Sequence, residues 1–191
     1  DTYNITDSAA NLAASSNVLL AKAGTVIANT AATAVETNVI GGYAKAVQFS
    51  ISDTAANIVA ATAAAVNEAV DITVTDTATV AQATTIEARS NSGSNTYSIT
   101  DSATNLAASS NAVLTLGSSV TANTNSTKAE ADTVAAFDKA VVYSISDTAA
   151  AIAGGSADGR NEAVDITATT AATIAEATTI DGASNSGSNT Y

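Results

Sequence analysis

Aspartate is the residue type whose spacing in this sequence could support chemistry. Four aspartates, each directly after an Ile-Thr or Ile-Ser pair, recur at nearly equal intervals along the chain: Asp7, Asp53, Asp101 and Asp147. With nearby hydroxyl and carbonyl oxygens they could bind Ca²⁺ between successive repeats. Aspartate is also a preferred helix N-cap, where it accepts hydrogen bonds from backbone N–H groups. Because the equivalent position alternates between Asp and Thr, and no Gly-rich Asp nonapeptide occurs, capping is the favoured interpretation.

A fifth calcium candidate is Asp158, which lies in a Gly-rich stretch. The stretch reads Gly154-Gly-Ser-Ala-Asp-Gly-Arg-Asn-Glu162 and loosely resembles a calcium loop. Residues 60–68, its counterpart in the earlier copy of the repeat, contain neither the glycines nor the aspartate. We therefore predict a protein without a cofactor, with Ca²⁺ as the alternative.

The composition excludes most catalytic and metal chemistry. The 191 residues include no His, Cys, Met, Trp or Pro, so Cys/His zinc sites, disulfides and histidine acid–base catalysis are excluded. A nucleophilic serine would need lysine as its base, and the six cations show no motif spacing. We predict that the protein is not an enzyme. Those six cations are Lys22, Lys45, Arg89, Lys128, Lys139 and Arg160.

The charge balance bears on partners. A formal net charge of −12 argues against nucleic acid and anionic membrane surfaces, which must be met by Lys and Arg. No apolar run approaches the roughly 20 residues of a spanning helix, so no membrane insertion is predicted. The first residues also lack the basic region of a signal peptide.

The sequence repeats at two levels. Residues 3–17 return as residues 97–111, and residues 67–73 return unchanged as residues 161–167, at one common offset. This predicts a first unit over residues 1–94, a second over 95–188, and the start of a further repeat at 189–191. Within each unit a shorter period of about 23 residues is typical of solenoid repeats, and its last step is slightly longer. We number the segments 1 to 8 by their first apolar residues: Tyr3, Val26, Phe49, Ile72, Tyr97, Val120, Tyr143 and Ile166.

Each segment begins as a strand and continues as a helix. Apolar and polar residues alternate at the start, which indicates a strand with one buried face. Small helix-forming residues follow, as in Asp53-Thr-Ala-Ala-Asn-Ile-Val-Ala-Ala. The residue directly after each strand is predicted to be the helix N-cap. These residues are Asp7, Thr30, Asp53, Asp76, Asp101, Thr124, Asp147 and Thr170.

The predicted fold is an α/β solenoid. Eight stacked coils, each of about 23 residues, would each place one strand in a parallel sheet and follow it with a short Ala-rich helix. In even segments, β-branched residues weaken the helix, so a short helix followed by a second strand at residues 84–86 fits equally well. An all-β solenoid is the alternative.

The outward strand positions form a polar face. Fifteen of sixteen are Ser, Thr or Asn, and Ile27 is the exception. Such a face is a solvated surface, a ligand or lateral-contact surface, or an ice-binding plane. The residues that would bind ice or polysaccharide are Thr6, Ser50, Ser52, Thr73, Thr75, Ser98, Thr100, Ser144, Ser146, Thr167 and Thr169.

Two stretches carry a resemblance to known proteins: Tyr143-Ser-Ile-Ser-Asp-Thr-Ala-Ala-Ala-Ile152 and Val70-Asp-Ile-Thr-Val-Thr-Asp-Thr-Ala-Thr-Val-Ala-Gln-Ala83. They are similar to repeats of very long cyanobacterial and proteobacterial extracellular proteins. Proteins of this kind are S-layer-like, adhesin-like or filament-forming. The resemblance implies an extracellular or cell-surface location and a structural role in a fibre, surface layer or adhesin stalk. It carries no catalytic residue across.

The repeat also predicts the partner. Residues 95–100 begin in the same register as residues 1–6, and Tyr191 opens a ninth strand pattern. We therefore expect further copies of the same repeat, head to tail or within a longer chain. Paired strands would give a rise of roughly 4.8 Å per segment.

Overall fold

The computed structural model describes residues 3–191. It divides into two compact units, Asp1–Ser98 and Ile99–Tyr191, of which Asp1 and Thr2 lie outside the described residues. In each unit short parallel strands alternate with short helices. The mixed α/β character predicted from the sequence is confirmed, and the all-β alternative is wrong.

The first unit contains segments 1 to 4. Helices begin where Ser or Thr precedes a run of small residues, and strands begin where β-branched residues alternate with polar ones. The elements are β1 Ile5–Asp7, α1 Ala9–Ala14, α2 Asn17–Leu20, β2 Val26–Ala28, α3 Ala34–Ile40, β3 Ile51–Asp53, α4 Ala55–Ala60, α5 Ala63–Asn67, β4 Ile72–Ala78, α6 Val80–Glu87 and β5 Asn95–Asp101, of which the last contributes residues to both units.

The second unit repeats this order. Its elements are α7 Ala103–Ala107, α8 Asn111–Leu116, β6 Val120–Ala122, α9 Lys128–Ala135, β7 Val141–Val142, β8 Ile145–Asp147, α10 Ala149–Gly154, α11 Ala157–Asn161, β9 Ile166–Ala168, α12 Ile174–Asp181 and β10 Asn189–Thr190.

The strand pairing has a register that the sequence columns did not predict. Aligning segments on their first apolar residues sets Tyr3 opposite Val26, but the structure pairs Ile5 with Val26. The same shifted register joins β3 to β4, β5 to β6 and β8 to β9. Segment 2 accommodates this two-residue shift in register through two isolated parallel bridges. One pairs Ile27 with Gln48, and the other pairs Ala32 with Ile51.

The core lies between the strands and the helices. Phe49, Ile72 and Tyr143 from the first apolar column are at most 2% exposed, and the alanines that begin α1 and α4 are fully buried. Tyr3, which was predicted to be in the core, is 40% exposed. The small alanine side chains let the helices approach the sheet closely.

The helices differ from prediction in two ways. Odd segments contain two short helices instead of one. In the first unit, Ser16 and Thr62 are the N-caps of the second helices of segments 1 and 3. Even segments contain one continuous helix, so the alternative of a second strand at residues 84–86 is wrong. There, Thr84 and Thr85 donate their hydroxyls to carbonyl oxygens one helical turn earlier, which keeps β-branched residues within α6.

One close contact between two helices recurs within each unit, but its glycine lies on a different helix in each. A Cβ at Gly41 would lie 2.6 Å from the Ala65 Cβ and 2.7 Å from its Cα. The second unit has Ala135 and Gly159 at these two positions. Each unit therefore places one glycine in this pair of positions, on opposite sides.

Gly41→Ala is expected to lower the melting temperature of the protein, because two Cβ atoms cannot occupy the space. The overlap should cost about 1–3 kcal/mol. Adding Ala65→Gly, which restores one Cβ per pair, should recover most of this loss despite the weak helix propensity of glycine. Melting curves of the two single variants and the double variant measure the coupling, and strictly additive effects would contradict the contact.

Candidate functional site

The four repeated aspartates lie immediately before helix N-caps and are not themselves the caps. The caps are the next residues, Ser8, Thr54, Ser102 and Thr148. In each case one carboxylate oxygen accepts the backbone N–H of that cap residue at 2.7–2.8 Å. The prediction that these aspartates cap their own helices is therefore wrong by one position.

The even-segment residues Thr30, Asp76, Thr124 and Thr170 were also predicted as N-caps, and this too is wrong. The caps there lie slightly later, at Thr33, Thr79, Thr127 and Thr173, each in a capping box with Glu or Gln. The even helices thus begin later because the capping box offers two reciprocal hydrogen bonds.

In segments 2 to 4 and 6 to 8, the same Asp or Thr instead accepts a hydrogen bond from the preceding segment. Its side-chain oxygen takes the backbone N–H of the first residue of that segment's helix, at 2.8–3.1 Å. These contacts join Thr30 with Ala9, Asp53 with Ala34, Asp76 with Ala55, Thr124 with Ala103, Asp147 with Lys128 and Thr170 with Ala149. We call this set the capping ladder. Asp and Thr can alternate in it because both supply an acceptor oxygen.

A second set of contacts joins each segment to the one that follows. A side-chain oxygen, in most cases of asparagine, accepts a backbone N–H of the next segment at 2.9–3.2 Å. The contacts are Asn17 with Ala44, Asn38 with Thr62, Asn67 with Ser90, Asn111 with Asp138, Asp132 with Ser156 and Asn161 with Ser184. We call this set the asparagine ladder. Sequence analysis missed it, although the recurring asparagines of the helical stretches were its signal.

Hydrogen bonding stabilises the charged form of several carboxylates. The side chain of Asn11 and the N–H of Ser8 lower the pKa of Asp7. Partial burial opposes ionisation of Asp53, but its hydrogen bonds, led by that from the Ala34 N–H, outweigh this and lower the pKa. The pKa is also lowered at Glu130, Asp132, Asp165 and Glu176.

The stability of the protein should therefore fall in acid. A carboxylate whose pKa is lower in the folded state binds fewer protons there than in the unfolded state. Its contribution is complete above the unfolded pKa, about 4, and disappears as the pH falls through the folded value. We expect a constant melting temperature from about pH 7 to 5 and a steep fall below about pH 4. A melting temperature that rises below pH 4 would contradict this.

The calcium candidates do not converge. Within residues 3–191, no group of three or more His, Cys, Asp or Glu side chains is arranged to hold a metal ion. Asp158 lies in the first turn of α11, which begins after the Ser156 cap, so the Gly-rich stretch is largely helical and not an open calcium loop. In Asp7, Asp53 and Asp101 one carboxylate oxygen, Oδ1, accepts hydrogen bonds from a backbone N–H and from an Asn side chain, so protein donors already occupy this oxygen.

Excess chelator is expected to leave the melting temperature unchanged within about a degree, because these carboxylates have protein donors. A thermal melt with and without EDTA, followed by Ca²⁺ addition, measures this. A large fall that Ca²⁺ reverses would establish a calcium-dependent fold.

The predicted ligand face is accessible. Thr6, Thr73, Thr75, Thr167 and Thr169 are exposed, and the remaining predicted residues of the face are half-buried. Two of its hydroxyls are already engaged: Ser50 accepts the N–H of Asp71 at 3.3 Å, and Ser144 accepts that of Asp165 at 3.2 Å. Two branched apolar side chains interrupt the face, Ile27 at 37% exposure and Val142 at 51%.

Each unit also carries an open cleft beside this face. The cleft of the first unit is about 510 Å³ and includes Val47, Glu68, Val70 and Ser92. The cleft of the second is about 460 Å³ and includes the equivalent residues, Val141, Glu162, Val164 and Ser186. Valines with a carboxylate and a hydroxyl beside them suit a small amphipathic ligand. Sequence analysis did not predict these clefts, since the lining residues come from several segments.

Comparison with protein-family models, with curated proteins and with solved structures finds no match to this chain. None of the helices in the described part of the chain combines the length and apolar character that a membrane span requires.

Proposed function

We propose that the chain is a structural, non-catalytic repeat segment of an extracellular fibre, surface layer or adhesin stalk. The observation that carries this proposal is the capping ladder, in which every contact joins consecutive segments by the same chemistry. Such contacts use the polar side chains to hold neighbours together, as expected for a stacked array whose stability is a sum of nearest-neighbour terms.

The proposed architecture is an α/β solenoid of stacked segments. Three kinds of contact between consecutive segments support it: parallel strand pairing, the capping ladder and the asparagine ladder. Each kind recurs in both units, so no segment needs a core of its own.

The capping ladder also supports the proposed partner, a further copy of the repeat. Asp7 Oδ2 has no hydrogen-bond partner among the described residues, and neither does the N–H of Ile174, the first residue of α12. A further repeat, in the same chain or in another copy, would supply a carboxylate or hydroxyl to Ile174 and a helix N–H to Asp7. Ile174 is 89% exposed, and such a repeat would cover it.

Asp7→Asn tests this partner directly. The variant keeps one acceptor oxygen for Ser8 but removes the second oxygen that would accept from a neighbouring helix. We expect the purified chain to associate end to end with rising concentration, and Asp7→Asn to weaken that association by about tenfold. Sedimentation velocity measures it, with Asp158→Asn as the charge-matched control. Equal association of the two variants would contradict the proposed partner.

The alternative is a binding module that uses the Ser/Thr/Asn face for ice or polysaccharide. The exposed threonines and the two equivalent clefts favour it. Glycan-array binding or thermal hysteresis that is lost on Thr73→Val with Thr75→Val would establish this function. A screen against hydrolase substrates, expected to be negative, tests the non-catalytic proposal.

A further inference from the structure

The second unit contains a buried charged contact that the first unit lacks. Lys128, the first residue of α9, is 2% exposed and forms an ion pair with Asp132 one turn later. Asp132 also accepts a hydrogen bond from the Ser156 hydroxyl at 2.6 Å and from its N–H at 3.2 Å. The pair therefore lies between α9 and the start of α11.

Two glycines make room for this pair. A Cβ at Gly155 would lie 2.6 Å from the Lys128 Cε and 2.7 Å from its Cγ, and it would overlap the Nζ. A Cβ at Gly159 would overlap the Asp132 Oδ1 and lie 2.9 Å from the Lys128 Nζ. Because Cγ is close as well as Nζ, the whole lysine side chain would have to leave if residue 155 carried a Cβ. We refer to Lys128, Asp132, Gly155 and Gly159 as the Lys128 contact.

All four positions differ in the first unit. The equivalent residues are Ala34, Asn38, Ala61 and Ala65. Ala34 is 4% exposed and Ala65 is 2% exposed, so the same interface is filled by methyl groups. Asn38 accepts the Thr62 N–H at 2.9 Å, which matches the role of Asp132 toward Ser156. The two units thus build one interface in two mutually incompatible ways.

We propose that the Lys128 contact is a recognition surface that decides which segment can pack against α9. Its partner is a segment with glycine at both facing positions, which in this chain is segment 7. A segment with alanine at both positions, as segment 3 has in Ala61 and Ala65, would overlap the lysine. Segment 7 placed against α3 would leave two cavities in place of methyl groups, which is also unfavourable.

A tandem array has a particular need for such a device. Its segments are similar enough to exchange partners within a chain or between copies, and exchange is opposed by contacts that penalise the wrong neighbour. Buried ion pairs give little net stability compared with apolar side chains, but they are a known means of fixing register. The first unit packs the same interface with alanine, so the ion pair is not needed for stability there. We therefore attribute the Lys128 contact to selection of the neighbouring segment and not to added stability. The inference does not depend on the fibre role.

A set of matched variants tests the steric half of the proposal. Both chains of the test carry Ala135→Gly, so that positions 135 and 159 keep one Cβ between them, as Gly41 and Ala65 do in the first unit. Gly155→Ala with Gly159→Ala should lower the melting temperature by about 5 °C or more when Lys128 and Asp132 are retained. In a chain that also carries Lys128→Ala and Asp132→Asn, and so has the first unit's residues at all five positions, the melting temperature should return to within about 2 °C of the native value. An equal fall in both chains would overturn the proposal.

A refolding experiment tests the selection itself. The fivefold variant, with Ala135→Gly included, and the native chain are unfolded in urea and refolded at high concentration, and the exchanged oligomers are quantified by size exclusion after dilution. End-to-end complexes dissociate on dilution, whereas exchanged ones persist, so this readout is separate from the proposed fibre role. We expect the fivefold variant to give about threefold or more exchanged material at unchanged melting temperature. Equal fractions of exchanged material would overturn the proposal.

Discussion

Ile51→Asp is expected to unfold its part of the first unit. Ile51 is 1% exposed, pairs with Ile72 in the parallel sheet and donates its N–H to the Asp71 carbonyl at 2.8 Å. An aspartate there would place an unpaired carboxylate in a dry stack of apolar side chains. The expected loss is about 4 kcal/mol or more in the free energy of unfolding. Thermal or urea unfolding measures it.

The matched control is Ser52→Asp, at the next position along the strand. Ser52 is half-buried on the opposite face, where a carboxylate remains in contact with water. Its expected cost is about 1 kcal/mol or less, mostly from repulsion by Asp53. If the two variants lose the same stability, the assignment of buried and open faces is wrong.

Gly93→Ala is expected to have the second largest effect. Gly93 donates its N–H to the Val70 carbonyl at 2.7 Å, and a Cβ would lie 2.7 Å from that oxygen and overlap the Asp71 Oδ1. The described glycines have no positive φ, so the requirement is for close approach and not for an unusual backbone. Because a backbone oxygen cannot rotate away, we expect a loss of about 2–4 kcal/mol.

Gly154→Ala is the control for this variant. A Cβ at Gly154 would meet nothing within 4 Å, and the residue ends α10. Alanine favours the helix, so the expected effect is neutral or a gain of up to about 1 kcal/mol. Gly187, which has the same contacts in the second unit, should behave as Gly93 does. A Gly93→Ala protein as stable as Gly154→Ala would contradict the loop geometry.

The parallel strands and the helices could be predicted from the sequence because each has a periodic hydrophobic signal. Alternation at Phe49-Ser-Ile-Ser predicted the buried face of β3 correctly, although β3 begins at Ile51 and not at Phe49. The single helix of even segments was left open, since propensity alone ranks the β-branched residues of α6 poorly. Two features stabilise α6 as a helix. They are the capping box of Thr79 and Gln82 and the hydrogen bond from the Thr84 hydroxyl to the Val80 carbonyl one turn earlier.

The functional residues were harder to predict because their partners lie in other segments. The local sequence predicts that Asp53 is an N-cap. In the structure its Oδ2 accepts the backbone N–H of Ala34 in the preceding segment. A pattern along one chain cannot give the shifted strand register that brings these atoms together. The Lys128 contact was invisible for the same reason, since the lysine lies in segment 6 and its two glycines lie in segment 7.

The axial repeat of the assembled material, measured by cryo-electron microscopy, tests the central claim that this is a stacked structural repeat. We expect filaments or layers with a rise of about 4.8 Å per segment and therefore about 19 Å per four-segment unit. Compact particles that show neither spacing, whatever their concentration, would contradict it.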